Sequence, residues 1–243
     1  MGQRRNLGIP NLSQTHVLPL NPIDLDLRGW NFNHSFFDKY LPRHSANIVE
    51  IGVWKGASTI AMASILKSRA TDGVIFAVDT FLGSHEHHAN PVFLNQIGLN
   101  NGRLTMLDTF ISNIRQLSLD DLIYTVSLDS VSASKVFFES GTKVDFLHLD
   151  GGHSYLNVIV DLISWWQNFS TNAILIADDY TDDWPEVKNA IDAFIEISGS
   201  SVLEIFQGKI AIRVSGLSKE MIDKDNLRAE NLVIPLAKIV NLF

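Results

Sequence analysis

From Asn47 onward, short apolar runs rich in β-branched residues alternate with segments whose apolar residues recur at helical spacing. The alternation predicts strands at Asn47–Val53, Val74–Phe81, Leu122–Ser127, Lys143–Asp150 and Ala173–Asp178. Helices are predicted over Ala57–Lys67, over parts of Leu94–Ile114, and over Ser132–Phe138, Ser154–Phe169 and Pro185–Ile197. A short helix at Ser35–Tyr40 comes before them, and Leu203–Phe206 with Ile210–Val214 flank Gln207-Gly208 as a closing hairpin. Strands joined through helices pack as a mainly parallel sheet covered on both faces. The expected fold is therefore α/β, a Rossmann-like doubly wound sheet of seven strands with a C-terminal antiparallel hairpin strand. Such sheets bind ligands beyond the carboxyl ends of their strands, so the polar residues that follow each apolar run are the ones to examine.

The chain has 243 residues, enough for one large α/β domain. We expect an irregular arm at 1–29, a domain at 30–214, and a tail at 215–243 whose apolar end, Leu232–Phe243, packs on the core or a partner subunit. The 27 acidic against 19 basic residues, a net charge of −8, argue against a nucleic-acid partner. With no cysteine there is no disulfide, thiolate metal site or thiol nucleophile. The N-terminus lacks an apolar signal core, and no apolar run is long enough for a membrane span. The expectation is a cytoplasmic enzyme acting on a small molecule, with no membrane partner and a homo-oligomer as an option left by the apolar tail.

The first strand ends in Glu50-Ile51-Gly52-Val53-Trp54-Lys55-Gly56-Ala57-Ser58. Gly52 and Gly56 permit a tight strand-to-helix turn and close approach of a ligand to the backbone. Ser58, in the first helical turn, is placed to hold a carboxylate beside free N–H groups, and Glu50 to accept from a ligand ammonium or from loop amides. The spacing is not G-x-G-x-x-G, but its position after the first strand favours a nucleotide-type ligand over a plain glycine turn. Asp79, at the end of the second strand, suits a pair of ribose hydroxyls. Asp129 and Ser130, after the third, suit an adenine edge, with a helix cap as the competing reading. Asp150, Asp178 and Asp179 end the fourth and fifth strands. Carboxylates so close repel unless a cation or shared protons offset them, and an all-oxygen set suits Mg²⁺ or Mn²⁺.

Together these residues resemble a known family. Glu50–Ala63 (EIGVWKGASTIAMA) is similar to motif I of class I methyltransferases, in particular the metal-dependent O-methyltransferases of the catechol type. Asp150-Gly151-Gly152-His153-Ser154-Tyr155 and Ala177-Asp178-Asp179-Tyr180 resemble more closely the bacterial small-molecule branch, which includes sugar O-methyltransferases. The resemblance covers roughly 30–214. It implies S-adenosylmethionine (SAM) as methyl donor at Glu50, Gly52, Gly56, Ser58, Asp79, Asp129 and Ser130. It also implies Mg²⁺ at Asp150, Asp178 and Asp179, and a small hydroxylated acceptor such as a sugar, a phenol or another natural product.

His153 stands where the catechol-type enzymes carry a lysine base; it is a candidate base, with a carboxylate as the alternative. Gly151 and Gly152 replace bulkier residues there, which weakens the case for a wall against a flat aromatic acceptor. His85, His87 and His88 read either as a solvated loop and part of a lid, or as a second metal site. Trp165 and Trp166 read as core, and Trp184 as a substrate wall. Two rivals remain at this stage: an NAD-dependent oxidoreductase, disfavoured by the missing G-x-G-x-x-G, and a non-catalytic SAM-binding accessory protein.

Overall fold

The structure is a computed structural model that describes residues 24–28 and 34–216. The tail beyond 216 and most of the N-terminal arm lie outside the described residues. Seven strands form one sheet: β1 (Asn47–Ile51), β2 (Val74–Val78), β5 (Ile123–Val126), β6 (Val144–Leu149), β7 (Phe169–Ala177), β8 (Ser201–Phe206) and β9 (Lys209–Arg213). A separate antiparallel pair, β3 (Leu99–Asn100) and β4 (Arg103–Leu104), forms the break expected near Asn101. The helices are α1 (His34–Tyr40), α2 (Ala57–Ser68), α3 (His85–Ala89), α4 (Pro91–Ile97), α5 (Met106–Gln116), α6 (Ser130–Ser140), α7 (Tyr155–Trp166) and α8 (Pro185–Ser198).

The strand order is β5-β2-β1-β6-β7-β9-β8. Neighbours from β5 to β7 pair parallel, and β9 runs antiparallel to both β7 and β8. From β1 the chain winds outward through β2 to β5, then returns to the other side of β1 with β6, so the switch point lies between β1 and β6. Ligand crevices of doubly wound sheets form there.

Alternation along the strands divides the core into two layers. Val49, Ile51, Phe76, Val78, Leu147 and Leu149 face one layer with α6, α7 and α8. Ile48, Ile75, Ala77, Phe146, Ile176 and Ala211 face the other with α1, α2 and α5. Because side chains repeat every two residues, Glu50, His148, Asp178 and Lys209 fall on the same side as Ile48, Phe146, Ile176 and Ala211. The register sets Glu50 beside His148 and His148 beside Ile176. The second apolar layer is thus bordered, at the carboxyl ends of the parallel strands, by a row of charged groups.

Several element ends shift by a few residues, and two features depart further from the sequence expectation. The helix predicted to reach Phe169 stops at Trp166, because Asn168 turns the chain: its N–H donates to Trp165 O at 2.8 Å and its Nδ2 to Ser134 O at 2.9 Å. Phe169 is then free to pair with Val144 and open β7, four residues before the predicted start. The second is α3, a helix in the histidine-bearing loop where none was predicted; its start is held by Ser84 and His87 as a capping box. Trp165 and Trp166 are core residues, 1% and 5% exposed. No helix among the described residues is long and apolar enough to cross a membrane.

Candidate active site

Glu50 is fully buried. Its carboxylate accepts from Ser58 Oγ, from Thr59 Oγ1 and from His148 Nδ1, the last at 3.0 Å. Among the described residues no loop amide donates to it. β1 and β6 put the imidazole alongside Glu50, and the first turn of α2 brings the two hydroxyls over it. Ser58 correspondingly spends its hydroxyl on Glu50. Gly52 has φ +81°, and a Cβ on it would lie 1.9 Å from the Asp150 carbonyl oxygen, so only glycine lets the β1 turn abut the end of β6. Gly56, at φ +90°, lies against the Phe110 ring.

Asp79 fastens this turn from β2. One carboxylate oxygen accepts from the Val53 and Trp54 amides at 2.8 and 3.1 Å, the other from Phe81 N at 2.7 Å. Asp129 is the N-cap of α6, accepting from Ser132 N at 2.9 Å. Of its two sequence readings the structure shows the cap. Ser130 Oγ accepts from Trp165 Nε1 at 2.9 Å and also meets Asp161, a carboxyl whose burial pushes it up to about 6.

The acidic residues gather where sequence placed them, with cations that it did not foresee. Asp178 accepts from His148 Nε2 at 3.1 Å on one oxygen and pairs with Lys209 Nζ on the other. Burial alone would raise Asp178, but these two cations reverse it and hold the carboxyl below its usual range. Burial works equally against a charged His148, and Asp178 with Glu50 overcomes it, raising the imidazole. Asp179, in the left-handed region at φ +59°, accepts from His153 Nε2 at 3.0 Å. His153 Nδ1 donates in turn to Glu86 of α3 at 2.8 Å, and its ring stacks on Trp184 at 4.2 Å. Burial lowers His153, but its two carboxylate partners outweigh that and raise it to about 9.

Asp150 differs from its neighbours: among the described residues no side chain or amide donates a hydrogen bond to its carboxylate. Burial, followed by repulsion from Asp178, pushes it up to about 7. It is also the residue common to two groups of ligand atoms lying within 4.8 Å of one another, one with His148 and Asp178, the other with His153 and Asp179. These flank a recess of about 200 Å³ lined by Asp150, Gly151, Gly152, His153, Asp178 and Asp179.

The histidine-bearing loop touches this site through Glu86 on His153 and His87 on Trp54. The His87 ring lies tilted against Trp54 at 4.5 Å and accepts from Ser84 N, and His88 Nε2 meets Leu82 O at 2.8 Å. Neither group of ligand atoms contains His85, His87 or His88. A last set of contacts crosses the β1 turn from outside. Lys55, 2% exposed, pairs with Asp26 at 2.7 Å, Asn113 Nδ2 donates to Asp26 O and Lys55 O, and Trp54 Nε1 donates to Arg28 O.

A methyltransferase-domain family model matches residues 49–180, from the β1 turn through the Asp178-Asp179 pair. The chain belongs to that family. The sheet order and the glycine turn at the β1–β6 switch point are those of a SAM-dependent methyltransferase. Among solved structures the methyltransferase is similar in fold to the O-methyltransferase NovP (19% identity, TM-score 0.50, 69% of this chain and 71% of that one). It is likewise similar to the calicheamicin methyltransferase CalS11 (13%, TM-score 0.54, 74% and 76%). A third likeness is to an O-methyltransferase from Bacillus cereus in complex with SAH (15%, TM-score 0.50, 74% and 78%). No curated protein matches the sequence of this methyltransferase.

His148, Lys209, Glu86 and Thr59 escaped the sequence reading. His148 looks like one polar interruption in an apolar strand, and Lys209 like a hairpin residue. Only strand register puts them beside Glu50 and Asp178.

Proposed function

We propose that this methyltransferase moves the methyl group of SAM to a hydroxyl of a small molecule, with the acceptor oxygen in the recess beside Asp150. The observation that carries the reading is the direct abutment of the glycine turn on the acidic recess: Asp150 N donates to Ile51 O at 2.8 Å, and Gly52 packs on the Asp150 carbonyl. A donor seated on the turn and an acceptor seated among the carboxylates are neighbours. The names of the structural neighbours, O-methyltransferases among them, support oxygen as the acceptor atom.

In the reaction the S–CH3 bond breaks as the C–O bond forms, and the hydroxyl proton leaves to a base. Most of the rate comes from holding sulfur, methyl and oxygen in line. Asp150, with no donor on its carboxylate among the described residues, is the group placed to take that proton. His153 donates from both ring nitrogens to carboxylates. In this arrangement it has no lone pair for a proton, and it serves to orient Asp179 and to support the Trp184 ring. The exposed face of Trp184 suits the apolar side of a sugar or phenol ring.

Asp150, Asp178 and Asp179 are carboxylates of the kind that hold Mg²⁺ or Mn²⁺, and Asp150, whose carboxylate is unclaimed among the described residues, groups with Asp178 and His148 on one side and with Asp179 and His153 on the other. Such a cation, when bound, lowers the pKa of a hydroxyl and offsets developing negative charge. Asp150 is the residue to test, because Asp178 also supports His148 and Lys209. We expect Asp150→Asn to bind S-adenosylhomocysteine normally yet transfer label from methyl-labelled SAM to a panel of sugars and phenols at least about a hundredfold more slowly. Undiminished transfer by the variant would refute the assignment of Asp150. If chelator leaves wild-type turnover unchanged, the cation reading is wrong.

A further inference from the structure

Across the carboxyl end of the sheet the charged row alternates in sign: Glu50 on β1, His148 on β6, Asp178 after β7, Lys209 on β9. Each member touches the next. Lys209 is an unusual member, a lysine only 5% exposed, since burying an ammonium is costly unless a carboxylate is held against it. The fold fixes it in place. Gln207 and Gly208, both at positive φ, make the turn before β9, and Gly208 O accepts from Tyr180 N at 2.8 Å. The turn is thereby tied to the same loop that carries Asp178 and Asp179. The Lys209 ammonium also lies over the Phe37 ring, 5.9 Å from its centre.

The pairing leaves one carboxylate of the cluster out. His148 serves Glu50 and Asp178, Lys209 serves Asp178, and His153 serves Asp179, leaving Asp150 alone without a cationic partner in contact. Both oxygens of Asp178 are occupied. A divalent cation that takes Asp178 as a ligand meets an ammonium already on it.

We propose that Lys209 is the resident counter-ion of the carboxylate cluster, and that a divalent cation gains Asp178 only by displacing it, so that Lys209 sets the cation affinity of the site. The inference rests on the reading of Asp150, Asp178 and Asp179 as a cation site. A lysine is suited to this exchange, because its single point charge sits on a flexible four-carbon stem that can swing away.

The test is calorimetric titration of Mg²⁺, and separately of Mn²⁺, into the full chain without methyl donor. Wild type is compared with Lys209→Met and with Lys209→Gln, which retains a hydrogen-bond donor should the methionine variant fold poorly. Titration with S-adenosylhomocysteine reports that each variant is folded. Removing the charge is expected to tighten cation binding tenfold or more. Binding seen only in the variants also supports the proposal, and shows that in the native chain the lysine replaces the metal. Equal or weaker binding in the variants, with clear binding by wild type, overturns the role of Lys209 and leaves the cation site standing. No binding by any of the three overturns both.

Discussion

Replacing His148 with leucine removes the imidazole that links Glu50, beneath the glycine turn, to Asp178 in the acidic recess. The imidazole is fully buried and donates at 3.0 Å to Glu50 and at 3.1 Å to Asp178. Breaking a buried ion pair by deleting one partner costs about 3–5 kcal/mol, because the remaining charge is stranded. Here each stranded carboxylate keeps other support, Glu50 from Ser58 and Thr59, Asp178 from Lys209. The lower end, about 3 kcal/mol, is therefore expected. For a chain of this size that corresponds to a fall in Tm of roughly 6–12 °C, measured by circular dichroism. Glu50→Leu combined with His148→Leu should cost less than the sum of the two single changes, since the double variant leaves neither member of that pair unpaired. A fall under about 2 °C, or strict additivity, would refute the picture of a continuous buried row.

Three further outcomes follow from other parts of the site. Burial pushes the Asp161 carboxyl in the folded chain up to about 6 from its ordinary 3.8. An acid whose pKa is raised by folding is a liability above its unfolded pKa: stability is fully present below about 3.8 and lost as pH rises through about 6. Asp161→Asn should thus gain up to about 3 kcal/mol over wild type in urea unfolding at pH 7.5, and much less at pH 4.5; an equal difference at both values would contradict the assignment. Gly52→Ala forces a methyl group onto the Asp150 carbonyl and a side chain into positive φ. Calorimetry should show S-adenosylhomocysteine binding weakened at least about tenfold, and wild-type affinity would show that the turn is not part of the donor site. Lys55→Met leaves Asp26 without its buried partner, and a loss of about 2 kcal/mol in urea is expected; no loss would mean that segment 24–28 does not brace the turn.

The order of elements was legible because period-2 and helical patterns differ sharply along this chain, and glycine or polar residues end each strand. Glu50, Gly52, Asp79, Asp150, Asp178 and Asp179 stand out as candidates by position alone, at the tips of apolar runs. What those side chains touch was not legible. Sequence offers Glu50 as a ligand acceptor, and only β1–β6 register shows that it also meets His148; Asp129 reads as a cap or an adenine contact, and its bond to Ser132 N shows the cap. Lys209 lies 31 residues from Asp178 in sequence, and an antiparallel return strand brings it there. Such contacts depend on which strands are neighbours, information that local pattern does not carry. The end of α7 was misplaced for a related reason: Phe169 fits the helical stripe of Tyr155, Val158, Leu162 and Trp165, and only pairing with Val144 claims it for a strand.

A structure of the chain with S-adenosylhomocysteine bound tests the account most directly. The account predicts the thioether sulfur over the Gly52 turn, facing the recess between Asp150 and His153, with the nucleoside running toward Asp79. A nucleoside bound elsewhere, or a sulfur turned away from Asp150, would contradict it.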